Sequence, residues 1–148
     1  FDHVMGIDKW VQEYDIPVYL HEEEQKILAD PALNLSSTFG PSYAYQNTTT
    51  LCDGQNFSLA GVEWKVIHTP GHTCGGCCYY CEEEAMLISG DTLFYQSVGR
   101  SDFPTGSMAT LVRSIREKLL CLPEDTMVYP GHGDYTCIAD EKQYNPFI

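Results

Sequence analysis

Hydrophobic positions recur along the chain with two different periods, and each period predicts its own set of elements. Helical spacing predicts amphipathic helices over about residues 5–14 and 107–120, and a shorter one over 22–29. Alternation predicts strands at 57–59, 62–67, 77–81, 85–89 and 126–129, with Ala60-Gly61 as a hairpin turn. A short buried strand at 17–20 and a helix from about residue 138 complete the set. The predicted order is αβα, then ββββ, then αβα.

The segments between these elements divide into short turns and two longer irregular stretches. Residues 31–49 are rich in Pro, Asn, Ser, Thr and Gly and are expected to be irregular. Residues 95–106 are expected to form a long loop before the helix that Ser107 caps. Since no internal repeat appears, a length of 148 residues predicts a single domain, residues 1–148.

Three of the predicted strands end in a glycine turn that carries a histidine or an aspartate. These turns contain His72 in Thr-Pro-Gly-His-Thr, Asp91 in Gly-Asp-Thr and His132 in Pro-Gly-His-Gly. Proline fixes one backbone angle and glycine adopts angles that other residues avoid, so such turns aim a side chain rigidly. The repetition predicts a metal site on loops above a sheet.

Charge and composition narrow the classes of partner. A formal net charge of −13 disfavours nucleic acid and anionic membrane surfaces, both of which need a basic protein surface. No stretch of eighteen apolar residues and no signal peptide is visible, so we expect neither a membrane span nor secretion. A small anionic substrate stays compatible, because bound metal ions would dominate the local field.

Seven cysteines, an odd number, favour a reducing cytoplasmic setting with reduced thiols. Four of them cluster between Cys74 and Cys81, where Cys-x-x-Cys occurs twice. A zinc or redox site is one interpretation. The favoured interpretation is a strand with Cys77, Tyr79 and Cys81 on one face and Cys78 on the other, since thiolates so placed cannot converge on one ion.

The donor types of the candidate site indicate which metals it suits. The candidates are Asp2, His3, His72, Asp91 and His132. Imidazole together with carboxylate suits zinc, iron or manganese, and the absence of cysteine ligands is typical of a catalytic ion. Two ions bridged by a carboxylate and a hydroxide would provide a nucleophile at neutral pH.

These motifs, in this order, resemble those of the metallo-β-lactamase superfamily. Phe1-Asp2-His3 looks like the end of that superfamily's first motif, His-x-His-x-Asp-His. The loop 99–104 and the terminal Asn145-Pro146-Phe147 are similar to the short glyoxalase II-like hydrolases. The resemblance implies a four-layer αβ/βα sandwich, here with much of the N-terminal sheet absent, so that residues 1–148 form the C-terminal portion of the domain.

The resemblance also implies roles for the candidates. The residue matching His72 would bind the first metal, those matching Asp2, His3 and His132 the second, and the one matching Asp91 both. A metal-bound hydroxide would attack a thioester such as S-2-hydroxyacylglutathione, and Asp2 would help to orient it. The implied cofactor is zinc, as two ions in the intact parent, or else iron or manganese. The implied partner is a small-molecule thioester.

Because the chain begins at Phe1, the two histidines that open the first motif lie outside it. We therefore expect the chain by itself to be inactive or weakly metallated, and its longer parent to be the enzyme. The alternatives are a persulfide dioxygenase-type oxidoreductase with a single iron, and a non-catalytic remnant. β-Lactamase activity is disfavoured because Asp91 stands where those enzymes often carry cysteine.

Five further residues carry weaker signals. His21 is expected to cap a helix or lie on the surface, and His68 to be structural. Arg100 and Asp102 are expected either to form an ion pair that braces their loop or, for Arg100, to face a substrate carboxylate. Tyr135 is expected either to line the pocket or to pack.

Overall fold

A computed structural model describes all of residues 1–148, and the chain divides into two units, Phe1–Leu51 and Cys52–Ile148. Each unit has its own β-sheet. The expectation of a single domain stays a prediction.

The first unit is a small α/β unit built on two parallel strands. Its elements are α1 (Ile7–Tyr14), β1 (Tyr19–His21), a 3₁₀ turn (Glu22–Glu24), α2 (Gln25–Ala29), α3 (Ser36–Phe39) and β2 (Thr49–Leu51). β1 pairs with β2 in parallel, with Leu20 opposite Thr50. The expected helices and strand are confirmed, whereas the stretch 31–49 is not wholly irregular, since it contains α3.

His21 shows how this unit begins its second helical segment. Its imidazole Nδ1 accepts a hydrogen bond from the Glu23 N–H at 3.3 Å, which satisfies a donor at the start of the 3₁₀ turn. The side chain is buried. Of the two expected roles, capping is therefore confirmed and a surface position is wrong.

The second unit contains a six-stranded sheet and two helical segments. Its elements are β3 (Asn56–Leu59), β4 (Val62–His68), β5 (Cys77–Cys81), β6 (Met86–Gly90), β7 (Leu93–Phe94), β8 (Ser97–Val98), α4 (Met108–Ser114) with a π-helical continuation (Ile115–Leu119), β9 (Met127–Pro130), β10 (Thr136–Cys137) and α5 (Ile138–Tyr144). The strand order is β10-β9-β6-β5-β4-β3, and β7 and β8 form a separate hairpin. The expected loop 95–106 therefore contains β8, and β7, β8 and β10 were not predicted.

Strand direction brings three strand ends to one edge of the sheet. β5 is antiparallel to both β4 and β6, and β9 is parallel to β6. Consequently β4, β6 and β9 run in the same direction and their carboxyl ends meet at the same edge. These are the three strands that the sequence predicts to end in a histidine or aspartate turn.

The core of this unit lies between one face of the sheet and the helical segments. On the sheet, Ile67 pairs with Cys78, and Tyr80 pairs with Leu87, which pairs in turn with Val128. These side chains are buried together with Leu111, Ile115, Leu119 and Ile138. Burying each such aliphatic side chain contributes roughly 1.5–3 kcal/mol. The alternating strand pattern thus fixes which face of the sheet meets the helices.

The helix after Ser107 only in part follows the apolar stripe that its sequence predicts, which is Met108, Leu111, Val112, Ile115 and Leu119. The Ser107 hydroxyl accepts the Thr110 N–H at 3.3 Å, which confirms the cap. Leu111, Ile115 and Leu119 are fully buried, but Met108 is exposed, which contradicts its place in the stripe. The last turn widens to π geometry over Ile115–Leu119, where the sequence predicts a continuous α-helix.

The cysteine-rich strand β5 behaves as an alternating strand. Cys78 and Tyr80 belong to the core cluster, whereas Cys77 and Tyr79, which alternate with them along the strand, are half-buried. Cys81 is buried as well, outside that cluster. The structure contains no disulfide.

None of the helices combines the length and the apolar character that crossing a membrane requires.

Candidate metal centre

The turn after β4 is packed too tightly for any residue but glycine at position 71. Gly71 has φ +142°, and a Cβ there would lie 2.3 Å from the Leu111 Cα. The Gly71 carbonyl accepts the Ser107 N–H at 2.8 Å, and the Pro70 carbonyl accepts the Ser114 hydroxyl at 2.8 Å. The turn is therefore fixed on α4, and His72 follows it directly.

The turns after β6 and β9 are joined by a backbone hydrogen bond. The Gly131 N–H donates to the Gly90 carbonyl at 2.9 Å, and Gly90 pairs with Pro130. Gly90 adopts φ +50°, a left-handed conformation that glycine accepts without steric cost. Asp91 and His132, which follow these turns, are thereby held side by side.

A single carboxylate oxygen lies between two imidazoles. Asp91 Oδ2 is 3.7 Å from His72 Nε2 and 3.6 Å from His132 Nε2. Both separations are too long for hydrogen bonds. Two ligand atoms bound about 2.1 Å from one tetrahedral ion lie about 3.4 Å apart, close to both values. The spacing and the nitrogen and oxygen donors of this cluster fit a zinc-, iron- or manganese-type ion on either side of the Asp91 oxygen.

The tautomer of His72 is set by a backbone carbonyl. Its Nδ1 lies 2.7 Å from the Arg100 carbonyl oxygen, which can only accept, so Nδ1 carries the proton. The lone pair is then on Nε2, the nitrogen nearer Asp91. A carbonyl that accepts the N–H of a metal-binding histidine orients its imidazole toward the metal.

Asp91 and its neighbours differ in exposure. The side chain of Asp91 is 15% exposed and that of His72 is 21% exposed, whereas His132 is 54% exposed. Phe103 and His72 form a T-shaped ring contact with centroids 5.8 Å apart, and Phe94 and His132 form a second one at 6.3 Å. Two aromatic rings thus border the histidine pair.

Asp2 and His3 lie in the first unit, in a turn before α1, and both are exposed. The Phe1 ring stacks on Phe39 with centroids 5.1 Å apart. The assignment of Asp2 and His3 to the metal site stays a prediction.

The loop after β8 is braced by the expected ion pair. Arg100 donates to Asp102 through Nε and Nη2, both at 2.7 Å, and its guanidinium lies 4.1 Å from the centroid of the Phe103 ring. The Arg100 hydrogen bonds lower the pKa of the Asp102 carboxyl to about 2. The ion pair and the ring therefore form one assembly beside His72.

Gly99 allows this loop to approach Asp91. A Cβ at position 99 would lie 1.8 Å from the Asp91 carbonyl oxygen. Only glycine permits the two backbones to come this close. The approach holds the start of the loop against the turn that carries Asp91.

Beneath the site, a buried polar group of side chains was not predicted. Thr69 Oγ1 lies 3.0 Å from Thr92 Oγ1 and 3.4 Å from Cys78 Sγ. The group joins the turn before His72 to the turn after Asp91. Burial raises the pKa of the Cys78 thiol to about 12. A threonine beside each turn was the available signal, but threonine is equally common in exposed turns.

Two weaker candidates, His68 and Tyr135, make contacts with residues other than the proposed metal ligands. His68 Nε2 is 2.8 Å from the Cys74 carbonyl oxygen, and the Lys118 ammonium donates to the His68 carbonyl at 2.7 Å. These contacts confirm the structural role expected for His68. Tyr135 is 65% exposed and contacts Tyr129, with ring centroids 6.3 Å apart. Its place in a pocket stays a prediction.

Sequence comparison gives a family and curated relatives. The family model described as the metallo-beta-lactamase superfamily matches residues 1–132. The probable metallo-hydrolase YqgX of Bacillus subtilis (strain 168) is 39% identical over 150 residues, which cover all of this chain and 71% of that protein. The hydroxyacylglutathione hydrolase GloC of Haemophilus influenzae is 33% identical over 155 residues, covering 99% of this chain and 71% of that protein.

Comparison with solved structures gives the same family. The BLEG-1 B3 metallo-beta-lactamase is 43% identical with a TM-score of 0.92, covering 99% of this chain and 72% of that one. TTHA1623, solved in a di-iron-bound form, is 37% identical with a TM-score of 0.84, covering 100% and 73%. ETHE1 from Myxococcus xanthus is 26% identical with a TM-score of 0.66, covering 97% and 69%.

The similarity extends over essentially the whole chain and includes all three strand-end turns. The expected fold class is confirmed as a mixed α/β metallo-β-lactamase fold, a metal-binding fold of hydrolases. The chain belongs to the metallo-β-lactamase superfamily.

Proposed function

We propose that the function of this chain is the metal-dependent hydrolysis of thioesters such as S-2-hydroxyacylglutathione. The observation that carries the proposal is Asp91 Oδ2, placed 3.7 and 3.6 Å from the Nε2 atoms of two histidines. The hydrolase name of the Haemophilus influenzae relative, at 33% identity, supports the glyoxalase II-like subtype.

Five residues are proposed to hold the metal. His72 would bind one ion, Asp2, His3 and His132 a second, and Asp91 both. Bound ions of this type make a nucleophile available at neutral pH and stabilise negative charge that develops on a carbonyl oxygen. Zinc is the proposed metal, with iron and manganese as alternatives that the same donors accept. The di-iron form of TTHA1623 supports including iron in every test.

The protein's own groups would orient the metal ligands. The Arg100 carbonyl holds the Nδ1–H of His72 and so keeps its Nε2 lone pair directed at the site. The Phe103 and Phe94 rings contact the imidazoles of His72 and His132, and each ring would exclude water from the side of the imidazole that it covers. A less hydrated site strengthens every electrostatic interaction within it.

The chemistry of a thioester suits this arrangement. A thiol is acidic enough, with a pKa near 8.5 in free cysteine, to leave as a thiolate without a strong proton donor. The residues around His72 are a carboxylate, a second imidazole and aromatic rings. A substrate whose leaving group departs without a general acid therefore suits this site better.

β-Lactam hydrolysis is the second candidate, favoured by the 43% identity to BLEG-1. Its leaving group is an amide nitrogen, which must be protonated as the C–N bond breaks. The two candidates therefore differ in whether the site must supply a proton. A persulfide dioxygenase with one iron is the third, and it would consume oxygen rather than water.

One set of assays separates these candidates. The longer parent protein, which we expect to be the enzyme, is loaded separately with Zn²⁺, Fe²⁺ and Mn²⁺. Each form is then assayed for thiol release from S-2-hydroxyacylglutathione, for ring opening of a β-lactam and for oxygen uptake with glutathione persulfide. We expect metal-dependent thiol release to give the highest kcat/KM. Ring opening or oxygen uptake as the dominant activity would replace the proposal with the corresponding alternative.

The variant that tests the site is Asp91→Asn, with Asp140→Asn on the exposed face of α5 as the matched control. An amide cannot bridge two cations as a carboxylate does. We expect Asp91→Asn to lower bound metal and to reduce kcat/KM at least about 10³-fold, and the control to retain both. Thiol release that is indifferent to Asp91→Asn in the folded protein would refute the proposed site.

A further inference from the structure

Glu141, on α5, has a fully buried carboxylate and is not one of the proposed metal ligands. It is 0% exposed and belongs to the largest fully buried side chains of the protein. Its partners are three neutral donors. A carboxylate is seldom buried without a cation, because its desolvation is costly. The position therefore needs an explanation beyond filling space.

The three donors account for both carboxylate oxygens. The Thr136 hydroxyl donates to Oε1 at 2.7 Å, and the Asn145 amide donates to Oε2 at 2.7 Å. The Gln96 backbone N–H lies 3.1 Å from each oxygen. Both oxygens of Glu141 therefore act as acceptors, and each receives two of the four hydrogen bonds.

Two of these contacts hold the β7–β8 hairpin. Gln96 is the second of the two turn residues between the strands and adopts φ +49°, an uncommon conformation for a residue other than glycine. The Asn145 amide also donates to the Ser97 carbonyl at 3.0 Å. Glu141 and Asn145 thus fix the hairpin at its tip, and a strained turn persists only where its surroundings determine it.

The hairpin connects Asp91 to the loop that orients His72. β7 begins two residues after Asp91, and β8 ends at Val98, next to Gly99. Gly99 packs on the Asp91 backbone, and the Arg100 carbonyl accepts the His72 Nδ1–H. A displacement of the hairpin would therefore move that carbonyl away from His72.

We propose that Glu141 is a positioning residue of the metal centre, which holds the β7–β8 hairpin so that the Arg100 carbonyl fixes the Nε2 lone pair of His72. The metal part of this inference rests on the proposed function, whereas the orientation of His72 does not. A well-packed apolar residue would stabilise α5 equally well, so a merely structural role does not require four hydrogen bonds.

The test uses Glu141→Gln, which keeps the shape and replaces one acceptor with an NH₂ group that faces donors. ¹⁵N NMR of the metal-free protein reports which ring nitrogen of His72 carries the proton. We expect the Nδ1–H form to dominate in the unsubstituted protein and the Nε2–H form to appear in the variant. Zn²⁺ affinity, measured by competition with a chelator, should fall at least about tenfold.

Leu119→Ala is the matched control, because it destabilises the same core away from the hairpin. It should leave the tautomer and the Zn²⁺ affinity unchanged. If Glu141→Gln does not fold, Asn145→Ala takes its place, since it removes the bonds to both Glu141 and Ser97.

If the folded Glu141→Gln variant, or Asn145→Ala in its place, keeps the His72 tautomer of the unsubstituted protein, the inference is overturned, whatever the stability of the variant. A longer parent protein without substitutions that neither binds Zn²⁺ nor releases thiol would instead refute the proposed function, and the tautomer would still decide the role of Glu141. The two failures are therefore distinguishable.

Discussion

The imidazole of His72 and the carbonyl of Arg100 are 2.7 Å apart, although 28 residues separate them in the chain. The contact depends on Gly99, whose missing side chain leaves room for the Asp91 carbonyl. His72, which follows β4, is therefore oriented by the loop that follows β8.

Gly99→Ala should separate the loop from the turn that carries Asp91. A Cβ at 1.8 Å from a backbone oxygen cannot be accommodated without movement of one segment. We expect a loss of about 1–3 kcal/mol in unfolding free energy and weaker metal binding. Thermal unfolding and metal titration measure the two effects.

Gly6→Ala is the control for that substitution, because a Cβ there meets the Trp10 ring at an ordinary 3.6 Å. Its unfolding temperature and metal affinity should stay close to those of the unsubstituted protein. Equal effects of the two substitutions would contradict a special role for Gly99.

The Arg100–Asp102 ion pair should persist into acid. The Arg100 hydrogen bonds lower the Asp102 pKa from 3.8 to about 2. A lowered carboxyl pKa means that the stabilisation is fully present above about pH 4 and is lost as the pH falls through about 2. Carboxyl ¹³C NMR should follow this titration directly.

Arg100→Gln should return the Asp102 pKa toward 3.8, since it removes the charged donor. The NMR titration of Asp102 in this variant is the matched experiment. A pKa that stays near 2 in the variant would show that another group holds the carboxylate.

Cys78 should resist alkylation in the native protein. Burial raises its thiol pKa to about 12, and the thiolate is the reactive form. Cys52 and Cys121 are exposed and should be labelled by iodoacetamide at pH 8, whereas Cys78 should react only after unfolding. Peptide mass mapping distinguishes the sites, and rapid labelling of Cys78 in folded protein would disprove its burial.

Thr92→Val should weaken the link between two of the strand-end turns. The substitution keeps the shape and removes the hydroxyl that lies 3.0 Å from Thr69 Oγ1. We expect a loss of about 1–2 kcal/mol, measured by chemical denaturation. Thr38→Val on the exposed end of α3 is the control and should change stability little.

The sequence predicts the main strands and the three turns that carry His72, Asp91 and His132, because the signals for both are local. Glycine and proline mark the turns at Gly71 and Gly131, and alternation marks the strands before them. Two-residue strands such as β7 and β8 contain no period to detect. The spacing of Ile115 and Leu119 fits α and π geometry equally well.

Other features depend on contacts that no local pattern encodes. A glutamate in a terminal helix, such as Glu141, has the sequence appearance of a surface residue. Its burial follows from donors 45 residues away at Gln96 and 5 away at Thr136. The Thr69–Thr92 contact likewise arises from strand order rather than from sequence spacing.

The antiparallel strand β5 between β4 and β6 has a thermodynamic consequence. Because β5 and the helix α4 separate the three turns along the chain, no short segment contains His72, Asp91 and His132 together. A ligand that requires all three side chains binds the native state and not the unfolded chain. Such a ligand at 100 times its Kd would stabilise the fold by about 2.7 kcal/mol, so thermal unfolding becomes a direct assay of occupancy.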